Sequence, residues 1–228
     1  MYEATTCTDC VAMGYWALGN GAVTGTQNVA VGKETGMAVT SGYRNTLLGA
    51  YAGNAISTGY QNTCVGNIAA YNGLGTGYNN TVIGYNAQPT ANDSNNQITL
   101  GDANIDNLRC ADTSISSLSD RRDKTDIVDL PVGLDFINSV RPVKFKWQTR
   151  EGTPAKDGKI RAGFIAQELQ EAQSGSEYLN LVMDENPEKL EAKQGKLIPV
   201  LVKAVQELSA KNDELAAEIA SLKSQINN

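Results

Sequence analysis

The feature that most limits what this chain can fold into is a glycine that returns at a nearly constant interval. Gly14, Gly32, Gly49, Gly66, Gly84 and Gly101 recur with a period of about 17 residues, the mark of a repeat architecture. The residue before each is apolar (Met13, Val31, Leu48, Val65, Ile83, Leu100). Two positions earlier stands a β-branched residue (Val11, Val29, Thr46, Thr63, Thr81, Ile98). Side chains alternate between faces along a strand, so these two positions share one face of a short strand. Four of the strands are preceded by an asparagine, Asn28, Asn45, Asn62 and Asn80, with Gly25, Gly42, Gly59 and Gly77 three residues before it. Glycine supplies positive φ without steric cost, and asparagine tolerates it while bonding its own backbone. The pattern predicts a parallel β-roll or β-helix over residues 1–107 with one strand per coil. A single rung cannot bury its own strand face, so rungs must stack or pack against other chains.

This periodicity resembles the asparagine-threonine-x-x-glycine repeats of phage tail fibres and trimeric adhesin heads, which implies a trimeric coil. Its acidic residues, Glu3, Asp9, Glu34, Asp93, Asp102 and Asp106, avoid the best-matched rungs between Asn45 and Gly84. A glycosidase needs two carboxylates facing one cleft, and no convincing pair is present, so glycan cleavage is not expected. Tyr43, Tyr51, Tyr60, Tyr71, Tyr78 and Tyr85 recur along the coil. They read as packing between rungs or subunits, with contact to a receptor sugar as the alternative.

The chain has no histidine, which removes Ser-His-Asp triads, Cys-His dyads and histidine-based zinc chemistry. Net charge is −6 and pI about 4.8, against a basic surface for nucleic acid. The charge is uneven: residues 1–118 hold three basic and seven acidic side chains, and the remainder holds 16 and 18. No apolar run is long enough to span a bilayer and no signal-peptide pattern follows Met1, so membrane insertion and secretory export are not expected. Cys7, Cys10, Cys64 and Cys110 are too scattered for a disulfide framework. Cys7-x-x-Cys10 is half a metal site or a redox pair at most. With no second such pair, ordinary thiols in a reducing cytoplasm are the expectation, without a metal or cofactor.

Residues 108–118 read as a serine-rich linker. A helix is expected from Val132, with Leu134, Ile137 and Val140 on one face, ended by Arg141-Pro142. Val143, Phe145 and Trp147 alternate as in a half-buried strand, and Glu151 to Lys159 forms a polar hairpin-like loop. Phe164 to Ala172 predicts a short helix and Asp184-Glu185-Asn186-Pro187 a turn. Ile198, Leu201, Val205, Leu208, Asn212, Leu215, Ile219, Leu222 and Ile226 then follow each other at three- and four-residue steps, a coiled-coil seam over 198–226. The chain thus reads as a mixed fold. A repetitive β-coil is followed by a mainly α domain (119–228) with a few strands, ending in a long coiled-coil helix.

Between the halves lies Leu118-Ser119-Asp120-Arg121-Arg122-Asp123-Lys124. A serine hydroxyl becomes a nucleophile when a base takes its proton, and a lysine whose pKa is lowered by burial can be that base. Residues five apart on a straight helix lie roughly 140° apart, so Ser119 and Lys124 could meet only across a turn. The stretch resembles the start of the endosialidase-type intramolecular chaperone domain, the auto-processing C-terminal module of phage tail spikes and fibres. That family opens with Ser-Asp-x-Arg-x-Lys, matched by Ser119, Asp120, Arg122 and Lys124. Further matches follow in order: Gly133-Leu134-Asp135 with Ile137, then Arg141 to Trp147, then Gly163-Phe164-Ile165-Ala166-Gln167-Glu168-Leu169, then Leu197 to Leu208. The resemblance covers the chain from Ser119 onward.

The resemblance implies a Ser-Lys self-cleaving peptidase acting once per chain, with Ser119 as nucleophile and Lys124 as general base. The cut would fall between Leu118 and Ser119, and Asp120 and Arg122 would support the turn or the oxyanion. It also implies a homotrimer held by the 198–226 seam, although leucine at the d positions and Asn212 at an a position would favour two strands by packing rules alone. The expected function is a tail-fibre or tail-spike tip of a virion, assembled in the host cytoplasm. Its partners would be other tail proteins and a host cell-surface glycan or protein receptor. Two rival readings are a non-cleaving trimeric adhesin with a permanent trimerisation domain and a glycan-degrading spike. A membrane-bound transcription regulator can carry the same module, but no membrane helix or basic DNA-binding region is seen.

Overall fold

The computed structural model describes residues 7–19, 22–112, 114–148 and 158–226. The chain divides into two compact units, Met1–Arg109 with Trp147–Gly158, and Cys110–Lys146 with Lys159–Asn228.

The first unit is a parallel β-solenoid. Strands β1 (Val11–Met13), β2 (Val29–Val31), β3 (Thr46–Leu48), β4 (Thr63–Val65), β5 (Thr81–Ile83) and β6 (Ile98–Leu100) pair in chain order in one sheet. Val11 lies opposite Val29, which lies opposite Thr46, then Thr63, Thr81 and Ile98. The register therefore follows the glycine spacing residue for residue. The middle residue of each inner strand points inward: Ala30, Leu47, Cys64 and Val82 are fully buried, packed with Leu18, Val39, Ile56 and Leu74. Burial raises the Cys64 thiol to about 12, because the apolar core disfavours a thiolate.

Inside the coil the asparagines form a ladder. The Nδ2 groups of Asn45, Asn62 and Asn80 donate to the Oδ1 of Asn28, Asn45 and Asn62 at 3.0–3.1 Å. The same oxygens accept the next rung's backbone N–H at 3.0–3.1 Å. Each Nδ2 also donates to a carbonyl of the neighbouring turn: Asn28 to Gly42, Asn45 to Gly59, Asn62 to Gly77 and Asn80 to Ser94. An amide buried without partners would be destabilising, and here the ladder satisfies both its donor and its acceptor. The repeat glycine is a requirement of stacking. Gly49 has φ +129°, and a Cβ there would stand 2.5 Å from the Gly66 carbonyl oxygen. Tyr43, Tyr60 and Tyr78 stack face to face at 4.8 and 4.9 Å, so both faces of Tyr60 are covered by neighbouring rungs.

One expectation is corrected. Cys7 and Cys10 are joined as a disulfide rather than free thiols, their Cα atoms 5.9 Å apart where the chain turns into β1. That separation lies within the span a disulfide bridges. Cys64 and Cys110 remain free.

The second unit has a small core. Helix α1 (Leu134–Ser139) is followed by the antiparallel pair β7 (Val143–Phe145) and β8 (Arg161–Gly163), then α2 (Ala166–Ala172). A second antiparallel pair, β9 (Val182–Met183) and β10 (Glu191–Ala192), leads through a 3₁₀ turn into α3 (Ile198–Ile226). The strand expected through Trp147 ends at Phe145, and α2 begins two residues after Phe164 because Ile165 stays extended as its N-cap. The loop expected over 151–159 lies mostly outside the described residues. Leu169, Leu179, Leu181, Val182, Leu197 and Val200 are buried together, with Phe136, Ile137 and Phe164 packed against them. The buried residues of α3 are Val200 and Ala204, both in its first turns. Its seam residues Ile198, Leu201, Val205, Leu208, Leu215, Ile219, Leu222 and Ile226 are 45–83% exposed, so the helix does not spend that stripe on its own domain. Among the described residues no helix is long and apolar enough to cross a membrane.

Candidate functional site

The sequence around Ser119 folds locally for a simple reason. Asp120 is extended, with φ −65° and ψ 136°, and its carboxylate accepts the Arg122 backbone N–H at 2.9 Å, capping a 3₁₀ turn over Arg121–Asp123. Aspartate is among the best residues for this role, because its short side chain reaches an otherwise unpartnered N–H. The same carboxylate accepts from Arg122 Nε at 3.1 Å and from its terminal nitrogen at 2.6 Å, an ion pair that runs back along the turn. The Arg122 side chain, and then its backbone N–H, hold the Asp120 carboxyl below the usual aspartate range. Lys124 closes the turn, donating its N–H to the Arg121 carbonyl at 3.2 Å.

One tight turn between two extended residues reverses the angular separation that a straight helix would impose on positions five apart. Lys124 Nζ donates to Ser119 Oγ at 2.6 Å. The structure thus brings together the two residues that the motif singles out, with Asp120 and Arg122 making the turn between them. The Asp120 and Arg122 side chains engage each other, so they shape the turn rather than the hydroxyl itself. Leu118 is fully exposed, and Ser119 and Lys124 are exposed as well. Chemically, a hydroxyl and an amine stand at hydrogen-bond distance next to an exposed peptide bond. A lysine accepts a proton only in its neutral form, which excluding water favours.

Two further contacts tie the motif segments into one unit. Arg141 reaches Glu168 of α2 through two nitrogens, Nε donating to Oε2 at 3.0 Å and the terminal nitrogen to Oε1. Glu207 of α3 accepts the Leu134 backbone N–H at 2.7 Å. Sequence reasoning placed both carboxylates within matched motifs but gave them no role. The available signal was Gly133 just before the helix, a residue with no side chain to cap it. Among the described residues no group of three or more cysteine, aspartate or glutamate side chains is placed to hold a metal ion.

Comparison with known families agrees with the motif reading. Residues 119–178 match the peptidase S74 family model, described as chaperone of endosialidase. The match begins at Ser119, so this segment is similar to the endosialidase-type chaperone domain. No curated protein and no solved structure matches the chain.

Proposed function

We propose that this chain is the tip region of a phage tail fibre or spike whose C-terminal domain guides assembly of the β-solenoid and then cuts itself away. A β-solenoid followed by an endosialidase-type chaperone domain fits a tail fibre with an intramolecular chaperone. The observation that carries the self-cleavage reading is the 2.6 Å contact between Lys124 Nζ and Ser119 Oγ, at the first residue of the matched segment.

Three copies associate through the exposed seam of α3. Holding copies together raises their effective concentration, which offsets the slow search for register in a β-coil. Assembly excludes water from the Ser119–Lys124 pair. Neutral Lys124 takes the Ser119 hydroxyl proton, and Oγ attacks the Leu118 carbonyl carbon. The Leu118–Ser119 peptide bond breaks, the proton passes to the departing Ser119 amine, and Leu118 is left as an ester on Oγ. Water hydrolyses that ester. The products are a fibre of residues 1–118 and a released chaperone of residues 119–228. Loss of the scaffold makes the folded fibre kinetically persistent. The fibre, docked on other tail proteins of the virion after assembly in the host cytoplasm, binds a host cell-surface glycan or protein.

The alternative is a non-cleaving trimeric adhesin, favoured by the exposure of the dyad in the single chain. Intact masses of wild type and Ser119→Ala under denaturing conditions, beside the native assembly mass, separate the two. Fragments divided between Leu118 and Ser119 in wild type and absent from the variant support cleavage. Full-length chains in both, within an oligomer, leave a permanent trimerisation domain.

A further inference from the structure

The solenoid sheet buries only one face. The outer face carries the first and third residue of every strand: Val11 and Met13, Val29 and Val31, Thr46 and Leu48, Thr63 and Val65, Thr81 and Ile83, Ile98 and Leu100. Nine of these twelve are apolar, three are threonine, and none is charged. Met13, Leu48, Ile83 and Leu100 are 41–65% exposed. Single exposed apolar residues are ordinary on a protein surface; here they line up as one continuous uncharged ribbon across six strands.

We propose that this ribbon is where the solenoids of separate copies of this chain pack on one another, like column against like column about a shared axis. The inference rests on the reading of the chain as a homo-oligomer and adds the surface that its fibre part uses. Three observations choose a second copy over another occupant. First, the ribbon repeats at the strand spacing over all six strands, so another copy's ribbon matches it rung for rung. Second, it has no charge with which to select a polar or charged partner. Third, it is small. Six strands at about 4.8 Å spacing and three residues of about 3.3 Å give a face on the order of 250 Å². A stable complex of separate proteins buries about 800 Å² on each partner. A free partner would therefore be held weakly. Copies already joined through the exposed seam of α3 meet this face at high effective concentration, and a small apolar match then suffices.

The test is disulfide trapping in the full chain. Leu48→Cys is made in a Cys110→Ser background, since Cys110 is exposed, whereas Cys64 is buried and Cys7 is bonded to Cys10. Thr58→Cys, an exposed position outside the strands, is the control in the same background. Ile83→Cys provides a second ribbon position should Leu48→Cys fail to fold. With a copper(II)–phenanthroline oxidant, two introduced thiols lose two protons and two electrons and join. The expected result is an oligomeric native mass and crosslinks between like positions, 48 to 48 or 83 to 83, formed at least tenfold faster than in the control. An oligomer whose ribbon positions crosslink no faster than the control overturns the ribbon as the contact while leaving assembly through α3 standing. A single-chain native mass without ribbon crosslinks overturns both.

Discussion

Glu207, on the C-terminal helix, places its carboxylate 2.7 Å from the backbone N–H of Leu134, 73 residues earlier in the chain. The N-cap of helix α1 is Gly133, so the helix has no capping side chain of its own. The carboxylate satisfies one of its unpartnered N–H groups and sits at the positive end of the helix. A Cβ at position 133 would collide with the Glu207 carboxylate, so the glycine leaves the space that the carboxylate fills. The chaperone-like segment that ends at residue 178 in the family match is thus bonded to α3, which lies beyond it.

Glu207→Ala removes that cap, and the full chain is expected to lose about 1–2 kcal/mol in denaturant unfolding followed by helical circular dichroism. Gly133→Ala is expected to be at least as damaging, because the new methyl group displaces the carboxylate. In the double variant the two effects are less than additive, since the clash and the cap involve the same group. Strictly additive effects would show that the two residues do not act on each other.

Asp120 makes the turn that sets Lys124 on Ser119. If the proposed self-cleavage runs through this turn, Asp120→Ala is expected to slow it about fivefold, because the turn loses its N-cap. Asp120→Asn keeps the capping oxygen and should lose less. Gel densitometry of the two fragments over time reads both rates, and equal slowing by the two variants would assign the role to the Arg122 ion pair instead.

The Asp120 carboxyl should titrate below an ordinary aspartate, chiefly because of the Arg122 side chain. A depressed carboxyl contributes stability to the turn above the unfolded-chain pKa, and that contribution is lost as pH falls through the folded value. Carboxyl carbon NMR of the Ser119→Ala chain follows this directly. Arg122→Ala is expected to move the midpoint upward, and an unchanged midpoint would discard the ion pair as the cause.

Cys64 is buried with its thiol raised to about 12, and Cys110 is exposed. At pH 8 an alkylating reagent is expected to label Cys110 alone, with Cys64 reacting after denaturation. Peptide mapping by mass gives the order. Early labelling of Cys64 would mean that the coil opens at its fourth strand.

Asn62 stands mid-ladder, with Asn45 and Asn80 on either side and Gly77 accepting its Nδ2. Asn62→Ala leaves the buried Gly77 carbonyl and the Asn80 backbone N–H unpaired and removes one of the two donors to Asn45 Oδ1, so a loss of about 2–4 kcal/mol is expected, seen as a lowered Tm of the full chain. A change no larger than an ordinary surface substitution gives, about 0.5 kcal/mol, would mean that water replaces the amide.

The strand register and the extent of α3 are legible in the sequence because both are periodic. Glycines at a near-constant spacing fix which residues stack on which, and three- and four-residue steps from Ile198 to Ile226 fix a helix. The Ser119–Lys124 pairing is legible too, since it needs only the stretch from Leu118 to Lys124 and an aspartate to cap the turn. Which strand face is buried is not. The regular apolar columns look like a core in the sequence, yet they lie outside, while the middle positions, as varied as Ala30, Leu47, Cys64 and Val82, lie within. That choice depends on how each connecting segment folds back, bringing Leu18, Val39, Ile56 and Leu74 against one face. The Glu207–Leu134 bond and the Cys7–Cys10 disulfide belong to the same class. Periodicity specifies which residues repeat along an axis; side-chain contacts across it, or across 73 residues, exist only once the chain has packed.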